Sequence, residues 1–196
     1  GTRHGSFPTT MRPPSPKREP RWPPRHIAFV GQAGEHKGLP DFAAAAATLR
    51  AAQPEVRWSV LGGGTPASLA AVRAGGLTIL GYFRPATLSA RLAEHRIDLA
   101  VLPSRFPETH SLVLDSCVRA GVPVVAAGVG ALDERLQQLR AGWSFDSAQG
   151  AAGLARELDR ILRGVPRLAS ADSASLPTVA DAALAHCALY AELAAR

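Results

Sequence analysis

Between His26 and Arg163 the sequence alternates short, predominantly apolar runs with longer amphipathic ones. The apolar runs are Ile27 to Val30, Val56 to Leu61, Leu77 to Leu80, Asp98 to Leu102, Pro123 to Ala126 and Trp143 to Phe145. The segments between them predict helices over Leu39 to Ala52, up to Arg73, Thr87 to His95, His110 to Ala120, up to Arg140, and Ala148 to Arg163. Strand-length runs alternating with helix-length ones define a parallel α/β sheet. The runs are predominantly apolar, as required when helices cover both faces of the sheet. Right-handed crossovers then give an α/β, Rossmann-like, doubly wound parallel sheet of about six strands, the last at an edge.

The flanks read differently. Residues 1–25 hold seven of the sixteen prolines and form a Pro/Arg-rich arm or linker. Residues 26–164 form the Rossmann-like domain, and 165–196 a loop and a C-terminal helix from Val179 to Leu193. Val179, Ala183, Leu184, Cys187, Tyr190 and Ala194 lie near one face of that helix.

The net charge of +6 is unevenly placed. Residues 1–26 carry Arg3, Arg12, Lys17, Arg18, Arg21 and Arg25 against Glu19, leaving +1 on the other 170 residues. A nearly neutral domain argues against a nucleic-acid-binding fold. The basic arm reads either as a solvated interdomain linker or as a strip that touches an anionic membrane surface. No run approaches the ~20 apolar residues of a membrane span. No cleavable leader pattern is visible, and a cytoplasmic protein, peripheral at the inner face of the membrane if the arm binds lipid, is expected. Cys117 and Cys187 sit on predicted helices among apolar neighbours and read as buried free thiols. No His/Cys spacing suggests a metal site.

In this architecture every loop after a strand opens on the same edge, where α/β proteins bind ligands. Four such loops carry small residues. The first, Gly31 to Gly38, combines glycines with Lys37, a cation suited to a diphosphate, but has neither GxGxxG nor Walker spacing. The second is Gly62-Gly63-Gly64. The third, Pro107-Glu108-Thr109-His110-Ser111, sets a carboxylate at a helix start that Thr109 or Ser111 caps. On residues alone, Glu108 is either a helix-end carboxylate with no ligand or an acceptor for sugar hydroxyls. The fourth, Gly128 to Glu134, opens backbone donors at another helix start. Convergence of four loops on one rim points to a ligand with phosphates and hydroxyls, a nucleotide or nucleotide sugar.

The order of these motifs resembles the C-terminal domain of a GT-B glycosyltransferase of the family 4-like group, from about Arg25 to Gly164. The resemblance rests on Val30-Gly31-Gln32-Ala33-Gly34-Glu35-His36-Lys37-Gly38, Gly62-Gly63-Gly64-Thr65-Pro66, Leu80-Gly81-Tyr82-Phe83, Pro103 to Ser116, Val118 to Val125, and Gly130 to Glu134. It implies half of a GT-B fold, with an N-terminal domain as partner and a terminal helix packed toward it. It implies a retaining, metal-independent hexosyltransferase that needs no cofactor beyond its nucleotide diphosphate sugar donor. Lys37 would hold the diphosphate, Glu108 would contact the transferred sugar as the catalytic residue, and Tyr82 and Phe83 would line the base pocket. Gly31, Gly63, Thr109, His110, Ser111, Leu112, Asp115 and Gly130 complete the implied donor site. Two positions depart from the pattern. Gln32 replaces an arginine, and Ser116 replaces the second glutamate of E-x7-E, which binds ribose in the family. Asp115 is one place early, about 100° around the helix. A non-catalytic binding module of the same fold, or half of a nucleotide-sugar epimerase, are the alternatives.

Overall fold

The computed structural model describes residues 19–108, 111–168, 176 and 179–194. Six strands form one sheet: β1 (His26–Val30), β2 (Arg57–Leu61), β3 (Thr78–Gly81), β4 (Leu99–Leu102), β5 (Val124–Ala127) and β6 (Gly142–Phe145). All neighbours pair in parallel, in the order β3-β2-β1-β4-β5-β6. Helices α1 (Leu39–Arg50), α2 (Pro66–Ala74), α3 (Leu88–Glu94), α4 (Leu112–Ala120), α5 (Gly130–Gln138) and α6 (Gly150–Leu162) connect or follow the strands, and α7 (Val179–Ala194) comes last. The expected six-strand, doubly wound sheet is therefore present, with Gly142–Phe145 as its edge strand.

Period-two alternation along the strands divides the core. Ile27, Phe29, Val101 and Val125 face one side, where they meet Phe42, Ala46 and Leu49 of α1 and Leu154, Leu158 and Ile161 of α6. Ala28, Val30, Ala100, Leu102, Val124 and Ala126 face the other, against Leu88 and Leu92 of α3, Leu114, Cys117 and Val118 of α4, and Leu132 and Leu136 of α5. Small alanines in β1, β4 and β5 leave room for the branched side chains of three helices on that face.

Strand order reverses between β1 and β4. Their carboxyl ends separate there, and the following loops turn to opposite faces, opening the crevice in which such sheets bind ligands.

One expectation needs correction. Cys117 is buried, and burial pushes its thiol up to about 12, but Cys187 is exposed. Cys187 lies on α7, where Ala183, Leu184 and Tyr190 of the expected apolar face also stand in solvent. Amphipathic spacing gave that helix a face but could not supply a surface to cover it. The end of the arm is anchored on the domain. Trp22 stacks on Trp143 at 5.3 Å between ring centroids, and its indole Nε1 donates to the Val165 carbonyl at 2.6 Å. The backbone N–H groups of Arg21 and Arg25 donate to the buried Asp98 carboxylate. Among the described residues no helix is long and apolar enough to cross a membrane.

Candidate functional site

Two glycines let the β1 loop pack against the loops after β4 and β2. A side chain on Gly38 would meet the Pro103 carbonyl oxygen at 1.8 Å, and one on Gly62 the Gly31 carbonyl oxygen at 1.7 Å. Gly38 also has φ +74 and Gly62 φ +157, so both positions need glycine on conformational grounds too. Main-chain bonds extend the contact: Gly31 N–H to Leu61 O at 3.0 Å, Ala33 N–H to Gly63 O at 2.7 Å and Gly62 N–H to Gly81 O at 2.9 Å. The carboxyl ends of β1, β2 and β3 thus form one connected layer.

The fourth strand's loop is clamped to this layer by residues that motif reading passed over. The Arg105 guanidinium grips both oxygens of the Asp41 carboxylate at 2.9 Å, and its backbone N–H donates to His36 O at 3.1 Å. The hydrogen bond to Asp41 raises the Arg105 pKa further above its ordinary value. Asp41 is buried in the first turn of α1. A buried carboxylate in a helix otherwise rich in alanine was the available signal.

This clamp brings Lys37 and Glu108 together. Lys37 closes a 3-10 turn, Glu35–Lys37, and its ammonium donates to Glu108 Oε1 at 2.6 Å. The two side chains are 33% and 22% exposed, respectively, so the pair is screened from water without being sealed. Both line a cavity of about 140 Å3 at the β1–β4 crevice, with Gly31, Gln32, Phe83, Ser104 and Ser111. A wider, shallower cavity of about 560 Å3 adjoins it and shares Gly31, Gln32 and Phe83. Gly63, Gly64, Thr65 and Tyr82 form its other wall. Tyr82 is 71% exposed, stacks on Phe83 at 6.2 Å, and lies over Gly63, where a side chain would meet its ring at 3.2 Å. The arrangement is a charged pocket beside an open aromatic shelf.

The helix starts complete the rim. Ser111 caps α4, its Oγ accepting from Leu114 N–H at 3.3 Å. Such a cap contributes about 1 kcal/mol. The start of α5 has no side-chain cap. Its first residue, Gly130 (φ +60), abuts Pro107, where a side chain would come within 2.8 Å. Gly130 therefore stands beside the Glu108 loop without lining either cavity.

Several expected residues fall elsewhere. Leu112 is 59% exposed and lines neither cavity; Val113, one place on, lines the smaller one. Asp115 is buried and pairs with Arg135 of α5 at 2.7 Å, tying α4 to α5 instead of facing the crevice. Ser116 Oγ donates back to the Leu112 carbonyl at 2.8 Å, while its own carbonyl accepts from Ser89 Oγ. In the fourth loop the N–H groups of Gly128 and Val129 are already spent on Phe145 O and Ala127 O. Only donors from Gly130 onward remain for a ligand. Thr109 and His110 lie outside the described residues.

The family model for group 1 glycosyl transferases matches residues 24–164. The chain belongs to that family. Among solved structures, this group 1 glycosyltransferase chain is similar to sucrose-phosphate synthase from Thermosynechococcus elongatus, with TM-score 0.58 and 24% identity over 76% of this chain and 37% of that one. The C-terminal domain of a group 1 glycosyl transferase from Francisella tularensis gives TM-score 0.57 and 18% identity over 74% of this chain and 77% of that one. HepE from Anabaena, in complex with UDP and glucose, gives 0.56 and 19% over 69% and 38%. Identities this low show the shared GT-B fold, and this glycosyltransferase chain spans 37% of the length of the synthase. No curated protein sequence matches it.

Proposed function

We propose that the chain is the donor-binding half of a glycosyltransferase. It would move a hexose or deoxyhexose from a nucleotide diphosphate sugar to a glycan or lipid-linked acceptor, with retention and without a metal. One observation carries the reading: an ammonium, Lys37, and a carboxylate, Glu108, meet in the cavity at the β1–β4 crevice beside an aromatic shelf.

Each group has a task that fits its chemistry. With the donor absent, Lys37 and Glu108 neutralise each other. A bound donor separates them, its diphosphate taking the ammonium and its sugar hydroxyls donating to the carboxylate. Charge then builds on the diphosphate as the sugar–oxygen bond breaks. A fixed cation and the uncapped start of α5 stabilise that charge without reorganising, the main electrostatic requirement of such a step. The base lies on Tyr82 and Phe83, whose rings offer a broad face. UDP is the first nucleotide to test, because HepE and a pneumococcal O-GlcNAc transferase, both of similar fold, were solved with it. The acceptor and the rest of the catalytic cleft belong to an N-terminal partner domain, so these 196 residues alone turn over no donor.

Titration calorimetry with UDP, GDP, ADP and their hexose conjugates tests the proposal. Binding of one series, lost in Lys37→Ala and Glu108→Ala, supports it. Failure of every nucleotide and conjugate to bind sinks it in favour of a non-catalytic module of the same fold.

A further inference from the structure

The edge of the sheet opposite the candidate site carries a second concentration of charge. A cavity of about 460 Å3 there is lined by Arg21, Arg25, Arg57, Arg96, Glu55 and Asp98. Both carboxylates are committed. Glu55 pairs with Arg25 at 2.9 Å. Asp98 is buried and accepts from the backbone N–H groups of Arg21, Arg25 and His26 at 2.8, 3.1 and 3.0 Å.

The backbone at Arg96 is strained. The α3–β4 turn closes with Ile97 N–H to Leu92 O and Arg96 N–H to Ala93 O. That pattern puts its penultimate residue in the left-handed region, where glycine is the usual occupant. The corresponding turns after α2 and α4 use Gly76 and Gly121, both at φ +69. Here the position is Arg96, at φ +53. The matching turn after α5 carries the same strain at Arg140, at φ +49.

We propose that this basal pocket is an anion site separate from the donor site, taking a phosphate group that carries two negative charges. Guanidinium forks match phosphate oxygens in pairs, and the four arginines outnumber the Glu55 and Asp98 carboxylates, which leaves net positive charge on one cavity. The phosphate is either free in solution or displayed as the headgroup of an anionic lipid.

The experiment uses the 196-residue chain with Lys37→Ala, which weakens the donor site without touching the basal edge. Inorganic pyrophosphate is titrated calorimetrically into this chain and into the same chain with Arg57→Gln or Arg96→Gly added. Sedimentation with phosphatidylcholine vesicles, with and without phosphatidic acid, runs in parallel. The expected result is one pyrophosphate event, weakened about tenfold or more by either added change, the loss of one charged hydrogen bond. Arg96→Gly also relieves the turn, so its thermal midpoint should equal or exceed that of its parent, which separates lost binding from lost folding. Vesicle capture that requires phosphatidic acid and both arginines identifies the lipid as the source. Pyrophosphate binding without capture identifies the free anion. Binding of neither, or binding that survives both changes, overturns the proposal.

Discussion

Lys37 Nζ lies 2.6 Å from Glu108 Oε1, although the two residues are 71 positions apart and sit on loops from different strands. The pair exists because Gly38 lets the β1 loop reach the Pro103 carbonyl. Its removal should be read in binding before stability. Lys37→Ala deletes a charged hydrogen bond to the donor diphosphate, expected to weaken nucleotide binding about tenfold or more. Glu108→Gln keeps the size and one acceptor. It should leave affinity for the free nucleotide nearly intact while lowering affinity for the nucleotide sugar. Calorimetry on both ligands separates the two roles; equal losses for nucleotide and nucleotide sugar in the Glu108 variant would remove the sugar contact.

Arg105 acts one step further back. Its bidentate bond to Asp41 and its main-chain bond to His36 hold the Glu108 loop against the Lys37 loop. Arg105→Ala leaves both pocket groups in place but frees one loop from the other. Nucleotide affinity should fall, with a stability loss of about 1 kcal/mol, as for a partly exposed ion pair. Arg105→Lys keeps the charge without the planar fork and should recover only part of the affinity. Urea unfolding and calorimetry on the same samples check both outcomes. Unchanged affinity in Arg105→Ala would show that the clamp is ornamental to the site.

The sheet was legible because its strands are predominantly apolar and several helices are bounded by turn residues, as at Gly62 to Pro66 and at Gly121 to Pro123. The rim was legible for the same reason, since Gly31, Lys37, Gly63, Tyr82, Phe83, Glu108 and Ser111 line its two cavities. Side-chain choices between alternative partners were not. Asp115 had an arginine 20 residues on, and nothing in the spacing says that Arg135 outcompetes the crevice. The clamp between Arg105 and Asp41 joins residues 64 apart that share no motif. Long-range ion pairs follow from packing, which a linear pattern does not encode.

Gly62 has the least freedom of the rim glycines. An added methyl would lie 1.7 Å from a main-chain oxygen of Gly31, and backbone cannot swing aside as a side-chain tip does. Gly62→Ala should therefore cost about 3 kcal/mol or more, in the range of substitutions that break a close backbone approach. Gly121→Ala is the control: its φ is also positive, at +69, but nothing lies within 4 Å. Only conformational strain applies there, about 1 kcal/mol. Denaturant midpoints of the two variants should differ accordingly, and equal midpoints would contradict the close approach of the β1 and β2 loops.

His26 makes folding sensitive to acid. It is buried at the start of β1, with Nδ1 donating to the His95 carbonyl at 3.0 Å and Nε2 accepting from Ser59 Oγ at 2.8 Å. Burial, aided by the Arg57 guanidinium, lowers its pKa from 6.5 to about 4. The unfolded chain takes up a proton near pH 6.5 that the folded chain refuses until about pH 4. The stabilisation is therefore complete above the unfolded value and is lost as pH falls through that window. One pKa step is worth about 1.4 kcal/mol, so the full loss is of order 3 kcal/mol. His26→Gln offers an amide to the same two partners and does not titrate. It should be less stable than the parent at neutral pH and should lose less on acidification, so that the gap between the two narrows toward pH 4. Unfolding free energies from urea titrations across that window measure the gap; parallel curves would mean that His26 is not the group responsible.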